Sequence, residues 1–136
     1  MNKFIFQNAT KVYFGKGCVK EYLTCLTKNA NTILLAYGGG SIKKTGVYDE
    51  IAGILKEAGK TMVEFSGIMS NPTYAKVQEG AKLARDNNVD MILAVGGGSV
   101  MDCCKAVSLA ARYDGDIWED FWARPGVIDL APLPLG

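Results

Sequence analysis

The apolar positions of the chain change period several times, and each change marks an element. Thr32-Ile33-Leu34-Leu35-Ala36-Tyr37 is a continuous apolar run, which predicts a strand covered on both faces. Residues 60–65 and 90–95 predict two more strands. Helical spacing appears in four places. Val19, Tyr22, Leu23 and Leu26 mark a helix over residues 19–28 that ends at Asn29-Ala30-Asn31. Val47, Ile51, Ile54, Leu55 and Ala58 form a second stripe, closed by Gly59 as a C′ residue. Tyr74, Val77, Ala81 and Ala84 mark a third, stopped by Asn87-Asn88, and residues 66–72 before it read as loop. Val100, Cys103 or Cys104, Val107 and Ala111 mark the fourth. Near the start, residues 4–6 and 11–15 alternate apolar and polar side chains, predicting a hairpin or a pair of edge strands. Beyond Asp114 regularity fades through a helical turn at residues 116–122, past Pro125, into the apolar Leu130-Ala131-Pro132-Leu133-Pro134-Leu135-Gly136.

Alternation of strand and helix requires crossover connections and so predicts parallel strands. The expected fold is α/β: a doubly wound, mostly parallel sheet with helices on both faces. A length of 136 residues fits one domain, and 49% hydrophobic with 21% charged residues is a globular composition. The net charge of +1 provides no field for polyanions, so nucleic acid is not an expected partner. No apolar run approaches the roughly 20 residues of a membrane span, and the start is too short in apolar residues for a secretion signal, so a cytoplasmic location is expected. Cys18, Cys25, Cys103 and Cys104 lack paired CxxC spacing and read as reduced thiols. The sequence contains no histidine, which removes the usual catalytic base and the commonest transition-metal ligand. The apolar, uncapped C-terminus reads as that of a chain that continues.

Two glycine clusters follow apolar strands. In open α/β sheets ligands bind beyond the carboxyl ends of the strands, so Gly38-Gly39-Gly40-Ser41 and Gly96-Gly97-Gly98-Ser99 are expected at one edge. The second joins a strand directly to a helix, whose N-terminal amides suit an anion. Gly97 and Gly98 would let a pyrophosphate approach, and Ser99 adds a hydroxyl. The bland alternative is a plain turn in which Ser99 is the N-cap and Asp102 completes a capping box. A carboxylate on the first helical turn repels phosphate, so Asp102 as a ligand residue should face an uncharged part of a cofactor, with Lys105 three residues on to offset it. Cys103 and Cys104 read as core residues. Trp118, Phe121 and Trp122 read as buried anchors, with a substrate wall as the alternative. Lys43-Lys44 divide evenly between a phosphate contact and a solvated pair, and Asn71 before Pro72 is also a turn residue.

The string Gly96-Gly97-Gly98-Ser99-Val100-Met101-Asp102-Cys103-Cys104-Lys105 resembles the GGGSxxDxxK signature of the iron-containing (group III) alcohol dehydrogenases. Residues 11–17, Ser70-Asn71-Pro72-Thr73 and residues 116–121 are similar to further segments of that family. Tyr37-Gly38-Gly39-Gly40-Ser41 is similar to its butanol dehydrogenase-like branch. The resemblance implies an N-terminal NAD(P)-binding domain, here residues 1–136, and a C-terminal helical domain, not in this chain, carrying an Asp and three His for iron or zinc. It further implies that Gly97, Gly98 and Ser99 hold the pyrophosphate, that Asn71 and Asp102 line the nicotinamide-ribose side, and that Gly38, Gly39, Gly40 and Ser41 meet the adenosine ribose. Many NAD-using relatives carry an Asp near Gly39. Its absence, with Lys43 or Lys44 nearby, leads to an expectation of NADP(H) over NAD(H). The expected substrates are primary alcohols and aldehydes, and the expected assembly is a homo-oligomer of the full-length enzyme. A glycerol dehydrogenase or dehydroquinate synthase-like protein, and a non-catalytic nucleotide-binding module, are the alternatives.

Overall fold

A computed structural model describes residues 3–124 and 129–136. The elements are α1 (Cys18–Leu26), β1 (Thr32–Tyr37), α2 (Ser41–Lys44), α3 (Val47–Glu57), β2 (Thr61–Phe65), α4 (Tyr74–Asp86), β3 (Met91–Val95) and α5 (Gly98–Ala110), followed by a single wide turn at Trp118–Trp122. The three strands are all parallel, in the order β2-β1-β3. The doubly wound α/β expectation is therefore met.

β1 lies in the middle, and Ile33, Leu34, Leu35 and Ala36 have no exposed surface. Its alternate side chains go to opposite layers, as the two-residue strand period requires. Leu34 and Ala36 join Phe65, Ile92, Val77, Ala81, Val100 and Val107 under α4 and α5. Ile33, Leu35 and Tyr37 join Leu23, Ile51, Leu55, Met91 and Leu93 under α1 and α3. The helix ends follow local chemistry. Thr73 caps α4 by accepting a hydrogen bond from the Lys76 N–H at 3.2 Å. Gly59 (φ 70°) and Asn88 (φ 51°) stand just past α3 and α4 in the left-handed region, where Gly and Asn are the tolerated residues. The amino-terminal edge of the sheet is closed by side chains: the Asp90 carboxylate accepts the Asn31 N–H at 2.9 Å and the Thr32 N–H at 3.1 Å, and Lys60 donates to the Ala30 carbonyl at 2.6 Å.

One expectation is corrected, and two features were not foreseen. Residues 4–6 and 11–15 form no strand; Ile5 and Phe14 are each 98% exposed. Alternation alone cannot make a strand without a neighbouring ladder to satisfy its backbone groups, and this segment pairs with none. The short α2 went unread; it tucks Ile42 into the core straight after the first glycine cluster. The apolar C-terminal stretch has a use within the chain. Ile92 N–H donates to the Pro134 carbonyl at 2.8 Å, Gly136 N–H to the Ile92 carbonyl at 2.9 Å, and Leu133 is buried, so this segment pairs with the outer edge of β3. The reading of Pro125 falls outside the described residues.

α4 and α5 approach closely over β2 because Gly80 has no side chain. A Cβ there would lie 2.7 Å from the Phe65 ring and 2.8 Å from Val107. Gly80→Ala gains about 1 kcal/mol of helix propensity but overpacks a buried contact, at a cost of typically 1–3 kcal/mol. Urea unfolding should show a net loss of stability, and an unchanged midpoint would mean that the helices separate freely.

Candidate functional site at the carboxyl edge of the sheet

The register Tyr37↔Val95 makes β1 and β3 end side by side, so both glycine clusters leave the sheet at the same edge. Six glycines stand there, and they fall into two classes. Gly38 and Gly96 are required by the chain's own packing. A Cβ on Gly38 would stand 3.1 Å from the Ile68 carbonyl oxygen, and one on Gly96 would stand 2.7 Å from a Val100 methyl. The loop after β2 seals this junction, with Gly67 N–H donating to the Gly38 carbonyl at 2.8 Å and Ile68 N–H to the Tyr37 carbonyl at 3.3 Å. Gly39, Gly40, Gly97 and Gly98 are different: a Cβ on any of them meets nothing within 4 Å. None of these four has a positive φ. Neither packing nor backbone conformation calls for glycine there, so what remains is space for something outside the chain to approach the backbone.

The helix behind the second cluster is aimed at that space. The N-cap of α5 is Gly97, not Ser99, and no side chain caps the helix. This corrects the capping-box alternative: Ser99 already lies inside the helix, and Asp102 stands beyond the first turn, ion-paired with Lys105 at 3.1 Å and 71% exposed. The uncapped amides at the start of a 13-residue helix carry the positive end of its dipole.

Beside the first cluster the structure reveals a group that the sequence reading passed over. Glu64 of β2 stands opposite Leu35 in the sheet. Its carboxylate accepts hydrogen bonds from the Tyr37 hydroxyl at 2.5 Å and from the Tyr48 hydroxyl, and Lys43 stands 3.5 Å away, over the Tyr48 ring at 4.6 Å. The Tyr37 and Tyr48 hydroxyls, with Lys43 behind them, hold the Glu64 carboxyl below its ordinary value. The Lys43 ammonium is held up by Tyr37 first and Glu64 second. Lys43 is thus neither a free phosphate contact nor merely solvated. An acid at the end of the strand that follows a glycine loop was the signal available in the sequence.

Asn71 sits exposed in the loop before α4 with φ 52°, as a turn residue does. Its neighbours Pro72 and Thr73 share a groove of about 220 Å³ with Asp102, Trp118 and Trp122. The two tryptophans are 52% and 49% exposed, so the anchor reading fails for them; Ile117 is the buried residue of that segment, and Phe121 packs partly against the core. Cys103 and Cys104 are core residues as expected, with burial pushing the Cys104 thiol up to about 12.

A family model for iron-containing alcohol dehydrogenases matches residues 9–135. The chain belongs to this family. It is 44% identical over 133 residues to a probable NADH-dependent butanol dehydrogenase 2 of Bacillus subtilis, covering 98% of this chain and 34% of that protein. It is 42% identical over 117 residues to an NADPH-dependent aldehyde reductase of Escherichia coli, covering 86% of this chain and 30% of that one. The crystal structure of NADH-dependent butanol dehydrogenase A from Thermotoga maritima superposes with a TM-score of 0.88 at 42% identity, over 99% of this chain and 34% of that one. The chain therefore spans about a third of the length of these iron-containing alcohol dehydrogenases. The sequence has no histidine, and among the described residues no three of Cys, Asp and Glu converge. No helix among the described residues is long and apolar enough to cross a membrane.

Glu64 makes a pH prediction. Its carboxyl is lower in the folded chain than the ordinary 4.5, so the stability it contributes is fully present above that value and is lost as pH falls through the depressed one. Glu64→Gln removes this proton uptake, and the acid limb of a stability–pH profile should become shallower. Superimposable acid limbs would show that the two tyrosines do not hold the anion.

Proposed function

We propose that this chain is the coenzyme-binding part of an NAD(P)-dependent alcohol dehydrogenase that interconverts primary alcohols and aldehydes, butanol among them, by hydride transfer. The observation that supports it best is the set of four glycines with open space above them, next to the uncapped start of α5. A pyrophosphate fits that space: backbone amides of Gly97, Gly98 and Ser99 donate to its oxygens, and the Ser99 hydroxyl adds a donor. Gly38, Gly39, Gly40 and Ser41 take the adenosine ribose, and Gly38 and Gly96 keep the two loops adjacent. Asp102, with its charge offset by Lys105, and Asn71 lie on the nicotinamide-ribose side. When bound, the coenzyme supplies the redox chemistry; this chain orients it. Iron or zinc belongs, in this reading, to residues of a second, helical domain, and the full-length enzyme is a cytoplasmic homo-oligomer.

Gly98→Ala separates coenzyme binding from a simple turn. The added methyl meets no atom of the chain and Ala is the better helix former, so the unfolding midpoint should hold or rise. Coenzyme affinity should fall by tenfold or more, about 1.4 kcal/mol, because the methyl occupies the approach to the amides. Unaltered affinity would leave the glycines without a ligand role.

The coenzyme preference is a separate step. The relatives' names divide, the Bacillus protein being called NADH-dependent and the E. coli protein NADPH-dependent. Residues 38–41 offer amides and a hydroxyl but no carboxylate, which favours a 2′-phosphate, and we read the preference as NADP(H). Gly39→Asp in the full-length enzyme should lower kcat/KM for NADPH by at least about tenfold through like-charge repulsion while sparing NADH. An unchanged ratio would mean that this loop does not read the ribose.

A further inference from the structure

We propose that Glu64 and Lys43 form a charge-balanced specificity element at the edge of the adenosine-ribose loop: Lys43 is the cation that meets a coenzyme 2′-phosphate, and Glu64 is the fixed anion that competes for it. The inference rests on the reading of residues 38–41 as the ribose loop, and it assigns to Glu64 a part in selecting the coenzyme.

Glu64 occupies a register position where the sheet pattern asks for an apolar side chain. It faces the same layer as Leu35 and Tyr37, two residues after Met62, which packs against that layer. The Glu64 side chain is itself 41% exposed, and three donors meet its carboxylate: Tyr37, Tyr48 and Lys43. The two tyrosines differ from the lysine. Tyr37 is buried and its ring cannot leave; Tyr48 is fixed on α3 and meets the Tyr37 ring edge-on, with centroids 6.0 Å apart. Lys43 has a half-exposed side chain, a long 3.5 Å contact to the carboxylate, and a flexible stem rising from α2, whose backbone begins directly at Gly40 and Ser41. Lys43 N–H donates to the Gly40 carbonyl at 3.2 Å, so the lysine moves with the loop. The tyrosines therefore hold the anion in place, and the ammonium is the member free to turn towards an incoming phosphate. While it is parked on Glu64, the subsite is nearly neutral, which accepts a plain ribose as well as a phosphorylated one. A 2′-phosphate draws Lys43 away and leaves Glu64 facing an anion, so the carboxylate tempers NADP(H) preference.

The test exploits the opposite charges of the pair. Calorimetry on the full-length protein measures binding of 2′,5′-ADP, which carries the 2′-phosphate, and of 5′-AMP, which lacks it. Glu64→Gln should raise the affinity ratio of 2′,5′-ADP to 5′-AMP by about threefold or more, and Lys43→Met should lower it by a similar factor, both effects shrinking in high salt. A merely structural pair would move both ligands together and give the two variants the same sign. Ratios that stay constant, or that shift in the same direction in both variants while 5′-AMP still binds, overturn the proposal. Lys43 lies on an exposed turn, so its variant decides the sign even if the Glu64 variant fails to fold. If the unaltered protein binds neither nucleotide, the coenzyme reading itself falls and this inference falls with it.

Discussion

The structure depends on a single strand buried on both faces. β1 has no polar side chain between Thr32 and Tyr37, and water reaches neither side of it. Such a strand is stable only with a ladder on each edge and a helical layer on each face, because every buried N–H and C=O must be paired and every buried side chain covered. β2 and β3 supply the ladders, α1 with α3 one layer and α4 with α5 the other. Parallel pairing then fixes direction, so whatever follows β1 and β3 must emerge at the same end. The juxtaposition of the two glycine clusters is a consequence of burying β1.

The two ends of the sheet are built by different means. At the amino end, Asp90 and Lys60 satisfy the backbone of residues 30–32 with charged side chains, locking strand starts to one another. At the carboxyl end the chain seals only the base of the junction, through the loop after β2 and the packing of Gly38 and Gly96 against Ile68 and Val100. A Cβ on any of the upper four glycines would meet nothing. A sealed base under an open rim is the arrangement that pre-organises backbone donors without closing the space in front of them.

Legibility in the sequence followed the range of the interactions. The apolar run of β1, the helical stripes, the C′ residue Gly59 and the stop at Asn87-Asn88 were readable because their signals are local, and both glycine clusters were readable as loops leaving one edge of the sheet. Residues 4–6 and 11–15 misled because alternation records a preference for strand, while a strand needs a partner. Trp118 and Trp122 misled similarly: their spacing with Phe121 fits an anchor, yet Ile117 takes the buried position. Ser99 lost the N-cap to Gly97 because the helix begins two residues earlier than its hydroxyl suggested. Glu64 was passed over for a different reason. Its meaning comes from lying next to Tyr37 across the sheet and Tyr48 across the layer, and only the register brings them together.

The charges near the rim also say where the attraction for an anion arises. Lys43 is matched by Glu64 and Lys105 by Asp102, and the chain's net charge is only +1. Paired, exposed charges contribute little attraction at physiological salt. The uncapped start of α5 adds oriented backbone donors to these paired charges. Such donors cannot swing to meet a ligand. They act only where the peptide planes already point, which is why side-chain-free residues are placed at the rim and why the packing glycines beneath them must hold the loops in register.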